Sequence, residues 1–174
     1  MTKLTIRPTG QESPFRENEI IVTKTDLKGR ITYANSVFLR VSRLTAEQTL
    51  GQPHSIIRHP EMPRCVFKLL WDTIQAKGEL FAYVLNMARN GDHYWVFAHV
   101  TPTFDAKGDI VGYHSNRRKP DAAQIAKIQP VYASLLQEER RAPDRKQGMS
   151  ISHEQLFSHL KKQGLAYDEF VFSV

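Results

Sequence analysis

The chain has 174 residues, 41% of them hydrophobic, and its 24 Lys and Arg against 18 Asp and Glu leave a net charge of +6. That apolar content supports a folded domain with appendages and excludes a disordered chain, and no stretch approaches the roughly 20 apolar residues of a membrane span. The first eight residues lack the apolar run of a secretory signal, and the single cysteine, Cys65, permits no intrachain disulfide, so a reducing cytoplasm is the expected compartment. Eight basic and four acidic residues fall between Arg117 and Lys146, so this segment carries +4 of the +6. Only Tyr132 interleaves as an aromatic, which fits a solvated face and argues against a nucleic-acid groove.

Residues 1–19 are polar and irregular and read as an N-terminal arm or cap. A domain-sized unit follows over 20–119. Ile20–Thr25 and Arg30–Ala34 flank Asp26-Leu27-Lys28-Gly29, a hairpin signature. Short helices are expected from Asn35 to Leu50, with Thr45 as an N-cap, and Gly51-Gln52-Pro53 breaks the run. Val66, Phe67, Leu70 and Ile74 form one stripe of a helix that starts after Pro63 and stops at Lys77-Gly78. Three strands then follow: Leu80–Met87, His93–Thr103 across the Asn90-Gly91 turn, and Ile110–Arg118. Two strands, short helices and three strands predict an α+β domain, a five-stranded antiparallel sheet with its helices on one face. Such an arrangement can enclose a small-molecule pocket.

Asp121 can cap a helix over 120–141. Ile125, Ile128, Tyr132 and Leu135 have 3-4-3 spacing, which suits either a seam with a second helix or packing on the chain's own sheet, and Pro130 is expected to interrupt it. Residues 142–174 read as a linker through 151 and then a helical tail, with Ser152-His153-Glu154-Gln155 resembling a capping box; the apolar Tyr167–Val174 has no assigned role.

The segment Gly51-Gln52-Pro53-His54-Ser55-Ile56-Ile57-Arg58-His59-Pro60-Glu61-Met62-Pro63 concentrates ionisable side chains between two proline breaks. Read alone, it is either an anion-binding loop or an ordinary polar one. Together with Asn90-Gly91-Asp92-His93-Tyr94-Trp95-Val96, Thr25-Asp26-Leu27, Ala34-Asn35, Trp71, Gly112-Tyr113 and Pro130-Val131-Tyr132, it resembles the flavin-binding PAS domains of bacterial aerotaxis receptors over residues 20–136. The resemblance implies a PAS fold with a C-terminal helical extension and noncovalent FAD whose redox state reports oxygen or respiratory state, or light. It places Arg58 and His59 near the pyrophosphate or ribityl chain, Asn35 beside the pocket, and Glu61 where the family has Asp. Trp71 belongs to the same set.

Similarity to light–oxygen–voltage relatives adds three positions. His54 stands where they carry a reactive cysteine, Asn86 matches the amide that reads the flavin pyrimidine edge, and Arg117 falls near flavin N5. Leu80 replaces a family Trp. The implied output is docking to a downstream signalling protein or receptor, with homodimerisation through the Asp121–Arg140 helix or the outer sheet face as a further expectation. A PAS interaction module holding haem, through His54 or His59, or holding nothing, is the alternative. An enzyme is the weakest reading, because no nucleophile–base pair or metal set emerges.

Overall fold

A computed structural model describes residues 6–174. Five strands form one antiparallel sheet in the order β2-β1-β5-β4-β3: β1 Ile21–Thr25, β2 Ile31–Ala34, β3 Leu80–Met87, β4 His93–Phe104 and β5 Ile110–Arg118. Each turn has a local cause. Asp26 Oδ1 accepts from the N–H groups of Lys28 and Arg30, which closes the first hairpin, and Gly91 takes a φ of 94° in the Asn-Gly turn. β3 and β4 pair without interruption from Leu80↔Val100 to Met87↔His93. With a side-chain period of two, this register aims Val84, Asn86, Ala98 and Val100 to the inner face and Tyr83, Trp95 and Phe97 to the outer face.

The inner face is covered by α1 Ser36–Ser42, α2 Ala46–Thr49, a 3-10 turn His54–Ile57 and α3 Arg64–Gln75. α2 has the full capping box that Thr45 predicts, with Gln48 as the reciprocal partner. The chain leaves α3 through Lys77, at a φ of 67°, one residue before the expected glycine. Ile21, Ile31, Phe38, Val66 and Val96 are fully or almost fully buried between sheet and helices.

The outer face differs from expectation. α4 Ala122–Arg141 continues through Pro130 and lays Ile128, Tyr132 and Leu135 onto the chain's own core. The Tyr132 hydroxyl donates to the Tyr83 carbonyl at 2.6 Å, and its ring stacks near Trp95. The 3-4-3 stripe therefore packs within the chain, the second of its two expected uses. α5 is Arg145–Gln163, so the linker predicted to reach 151 shrinks to residues 142–144. Asp144 caps this helix by accepting from Lys146 and Gln147, and Ser152 lies inside it, not at a capping box. The unassigned tail becomes α6 Tyr167–Ser173, whose Phe172 packs on Phe81 and Phe97. α4 and α6 thus pack on the outer surface of β3 and β4, one of the two places named for homodimerisation.

Residues 1–5 of the predicted arm lie outside the described residues. The remainder caps the start of β4: Ser13 N–H donates to the His93 carbonyl, His93 N–H donates to the Gln11 carbonyl, and Phe15 is buried. No helix among the described residues is long and apolar enough to cross a membrane.

Candidate functional site

Between the inner face of the sheet and the 3-10 turn and α3 lies a cavity of about 230 Å³. Apart from His114, its sheet-side walls follow the two-residue period of the pleat. Thr23 and Thr25 come from β1, Val84 and Asn86 from β3, Ala98 and Val100 from β4, and Tyr113, Ser115 and Arg117 from β5. Ile57, Phe67, Leu70, Trp71 and Ile74 close it from the helical side, with His54 and Arg58 among them. The result is an apolar slot with a few convergent polar groups, the usual composition of a small-molecule site.

The polar groups are poorly satisfied from within. Asn86 is buried and its Nδ2 has no partner; the same holds for Arg117 Nη1, Ser115 Oγ and Arg58 Nε. Buried donors without acceptors are rare, because each forfeits the hydrogen bonds it made to water. Arg117 is the strongest case. Its Nη2 donates to Thr23 Oγ1 at 2.8 Å and to His54 Nε2 at 2.6 Å, and among the described residues no carboxylate pairs with it. Burial lowers its pKa to about 10. The basic run that composition assigns to solvent therefore sends its first member into the core.

His54 answers this charge as an acceptor. With Arg117 donating to Nε2, the ring proton sits on Nδ1, and burial followed by the Arg117 charge holds the pKa well below the ordinary value. Thr23 also lies 3.2 Å from Nε2 and can donate to it. Native His54 is neutral while unfolded His54 binds a proton below about pH 6.5, so stability is full above that value and falls as the pH drops further. Thermal or urea unfolding between pH 7 and 5 is expected to show a loss approaching 1.4 kcal/mol per pH unit from this residue. His54→Gln should flatten that part of the profile; an unchanged slope would contradict the assignment.

Arg58 is half-buried at the rim, with its guanidinium 4.0 Å from the centre of the Phe67 ring. Its backbone bridges to Asn86 across the cavity edge. Trp71 stands edge-on to Tyr113 at 5.4 Å, and Gly29 passes so close that an added Cβ would meet the indole at 3.0 Å.

Five predicted residues therefore line one cavity: His54, Arg58, Trp71, Asn86 and Arg117. Three do not. Asn35 caps α1, accepting from Phe38 and Val22 N–H and donating to the Ile20 carbonyl, so its amide is used up in joining β1 to α1. His59 is buried behind the rim, with Nδ1 accepting from Glu61 N–H, and Glu61 is exposed. His59 and Glu61, which the resemblance sets near the ligand, are not among the residues lining the cavity and shape the turn after Arg58. Sequence reading passed over Thr23, Ser115 and Phe67. Thr23 and Ser115 were available from the two-residue period of β1 and β5, and Phe67 from its place one turn into α3. Cys65 faces away from the cavity, and burial raises its thiol to about 11. Among the described residues, no three His, Cys, Asp or Glu gather as a metal site.

Known proteins share this frame. The PAS-fold family model matches residues 31–117. The aerotaxis receptor of Escherichia coli strain K12 is 39% identical over 128 residues, which is 73% of this chain and 25% of the receptor. A nitrogen fixation regulatory protein of Klebsiella pneumoniae is 27% identical over 57% of this chain and 20% of its own length. The dark structure of the blue-light photoreceptor Aureochrome1 LOV superposes with a TM-score of 0.54 at 27% identity, covering 69% of this chain and 83% of that one. This chain thus spans a quarter or less of the length of these two curated relatives. The family model over half of the chain and the 39% identity over 73% of it agree: the chain belongs to the PAS-fold family.

Proposed function

We propose that this PAS domain holds FAD noncovalently in the cavity and converts its redox state, set by oxygen or respiratory state or by light, into a conformational signal for a partner protein. The observation that carries this reading is the pairing of two unpartnered donors in an apolar slot. Asn86 Nδ2 and Arg117 Nη1 both want acceptors, and the walls between them are aliphatic or aromatic. A flat heteroaromatic ring with carbonyl and imine acceptors along one edge suits that combination.

Within this reading Asn86 recognises the pyrimidine edge, since its amide offers a donor and an acceptor. Arg117 supplies positive charge where reduction would deposit negative charge. Arg58 at the rim, braced on Phe67, serves the phosphates, which favours a dinucleotide over a bare ring. Bound flavin would contribute reversible electron transfer; the protein contributes orientation and electrostatics. On this reading the protein signals and catalyses nothing itself, and it works in the cytoplasm on a downstream receptor or signalling protein.

A covalent photoadduct is not part of the reading, because no thiol lines the cavity and His54 stands at the corresponding position. Haem is the weaker ligand: His54 Nε2 is already engaged by Arg117 and Thr23, and His59 is outside the cavity. Purified protein is expected to be yellow and to release FAD on denaturation. Binding should quench Trp71, which lines the site, and leave the outer-face Trp95 as residual emission. Arg58→Ala should lower FAD retention about tenfold or more, the worth of a charge-assisted hydrogen bond. A Soret band, or colourless protein that ignores added FAD, would overturn the reading.

A further inference from the structure

α3 opens behind Pro63, which offers no side-chain cap. The N–H groups of its first turn are met from far along the chain. Glu139 on α4 accepts from Arg64 N–H through Oε2 and from Cys65 N–H through Oε1, each at 3.0 Å. The same Oε1 accepts from the Ser152 hydroxyl of α5 at 2.8 Å. One carboxylate thus joins α4 and α5 to the start of α3. The packing there is close: a Cβ on Gly148 of α5 would lie 2.6 Å from the Glu139 carbonyl oxygen.

The start of α3 also governs the cavity rim. Phe67, one turn beyond Arg64, is the ring beneath the Arg58 guanidinium, and both line the cavity. Arg58 further senses two opposed charges from this corner, that of Arg64 and that of Glu139. A helix start left without acceptors frays, and fraying here would loosen Phe67 and the segment carrying Arg58.

We propose that Glu139 is a positioning residue for the ligand site: by capping α3 from α4 it fixes Phe67 and Arg58, and it makes docking of the α4–α5 hairpin and closure of the Arg58 rim one cooperative unit. Whatever ligand Arg58 holds then favours the docked hairpin, and a docked hairpin favours that ligand by the same factor. The hairpin thereby reads the site through α3, around the edge of the sheet at β3. The coupling to ligand rests on the flavin reading; the coupling between hairpin and rim does not.

The test is therefore hydrogen exchange on the ligand-free full chain, followed by FAD release. Glu139→Ala is expected to raise exchange about tenfold or more both across α5 and in residues 54–66. Ser152→Ala removes one bond of three and should give a smaller effect in the same two segments, which provides a variant that keeps the fold. Loss of protection in α5 with 54–66 unchanged would overturn the proposal. In FAD-loaded protein, Glu139→Ala should speed FAD release about tenfold, and in the unmodified protein FAD should protect α5 as well as the rim. Failure of the unmodified chain to take up FAD would sink the flavin reading, while the ligand-free exchange still decides the role of Glu139.

Discussion

Arg117→Met is expected to stabilise the ligand-free protein while stripping it of its ligand. A buried guanidinium with no counter-ion has lost its hydration and regained only two hydrogen bonds, to Thr23 and His54. Methionine has comparable length and no charge, and the Thr23 hydroxyl can turn to His54 Nε2, so no acceptor is left empty. Replacing buried ion pairs by apolar groups of similar volume is neutral or gains about 1–4 kcal/mol, and for this unpaired charge a gain of about 2 kcal/mol is expected in urea unfolding. FAD affinity should fall about 10- to 100-fold, the value of a hydrogen bond from a charged donor. The opposite signs are what matter. A residue kept for structure would lose stability when removed; a residue kept for a ligand loses the ligand instead.

The frame of the protein was legible in its sequence because it rests on local chemistry. Asp26 and Asn90-Gly91 fix two turns, Thr45 and Gln48 cap α2, and alternation sets the sheet faces. The C-terminal third was not, because its determinants are remote. Glu139 satisfies α3 from 75 residues away, and Tyr132 finds its acceptor on β3, pairings that no local pattern announces. Ser152 has the sequence of a cap, yet the earlier Asp144 caps the helix and leaves Ser152 to bond Glu139. At the site, the inward-facing strand residues Thr23 and Ser115 follow from counting in twos, whereas Asn86 and Arg117 come from the resemblance to light–oxygen–voltage relatives. The loop after Arg58 has no such period. His59 and Glu61 lie within three residues of Arg58, yet the turn aims them elsewhere. Asn35 was adjacent to the right region but is used as a cap.

Filling the cavity offers a test of location that is independent of charge. Ala98 is buried on the inner face of β4, and its methyl points into the space between Val84, Val100 and Arg117. Ala98→Phe places a ring in that space. The cavity of about 230 Å³ offers space for it, so the expected loss of stability is at most about 1–3 kcal/mol, the usual cost of added side-chain volume in a core. A thermal melt establishes that the variant is folded. The ring then occupies the volume a flavin needs, and no side chain thought to bond the flavin has been altered.

The direct measurement is the ratio of flavin absorbance to protein absorbance after both proteins are incubated with excess FAD and desalted. The cavity reading predicts about one flavin per chain in the unmodified protein and almost none in folded Ala98→Phe. Equal flavin on both proteins would place the cofactor elsewhere and contradict it.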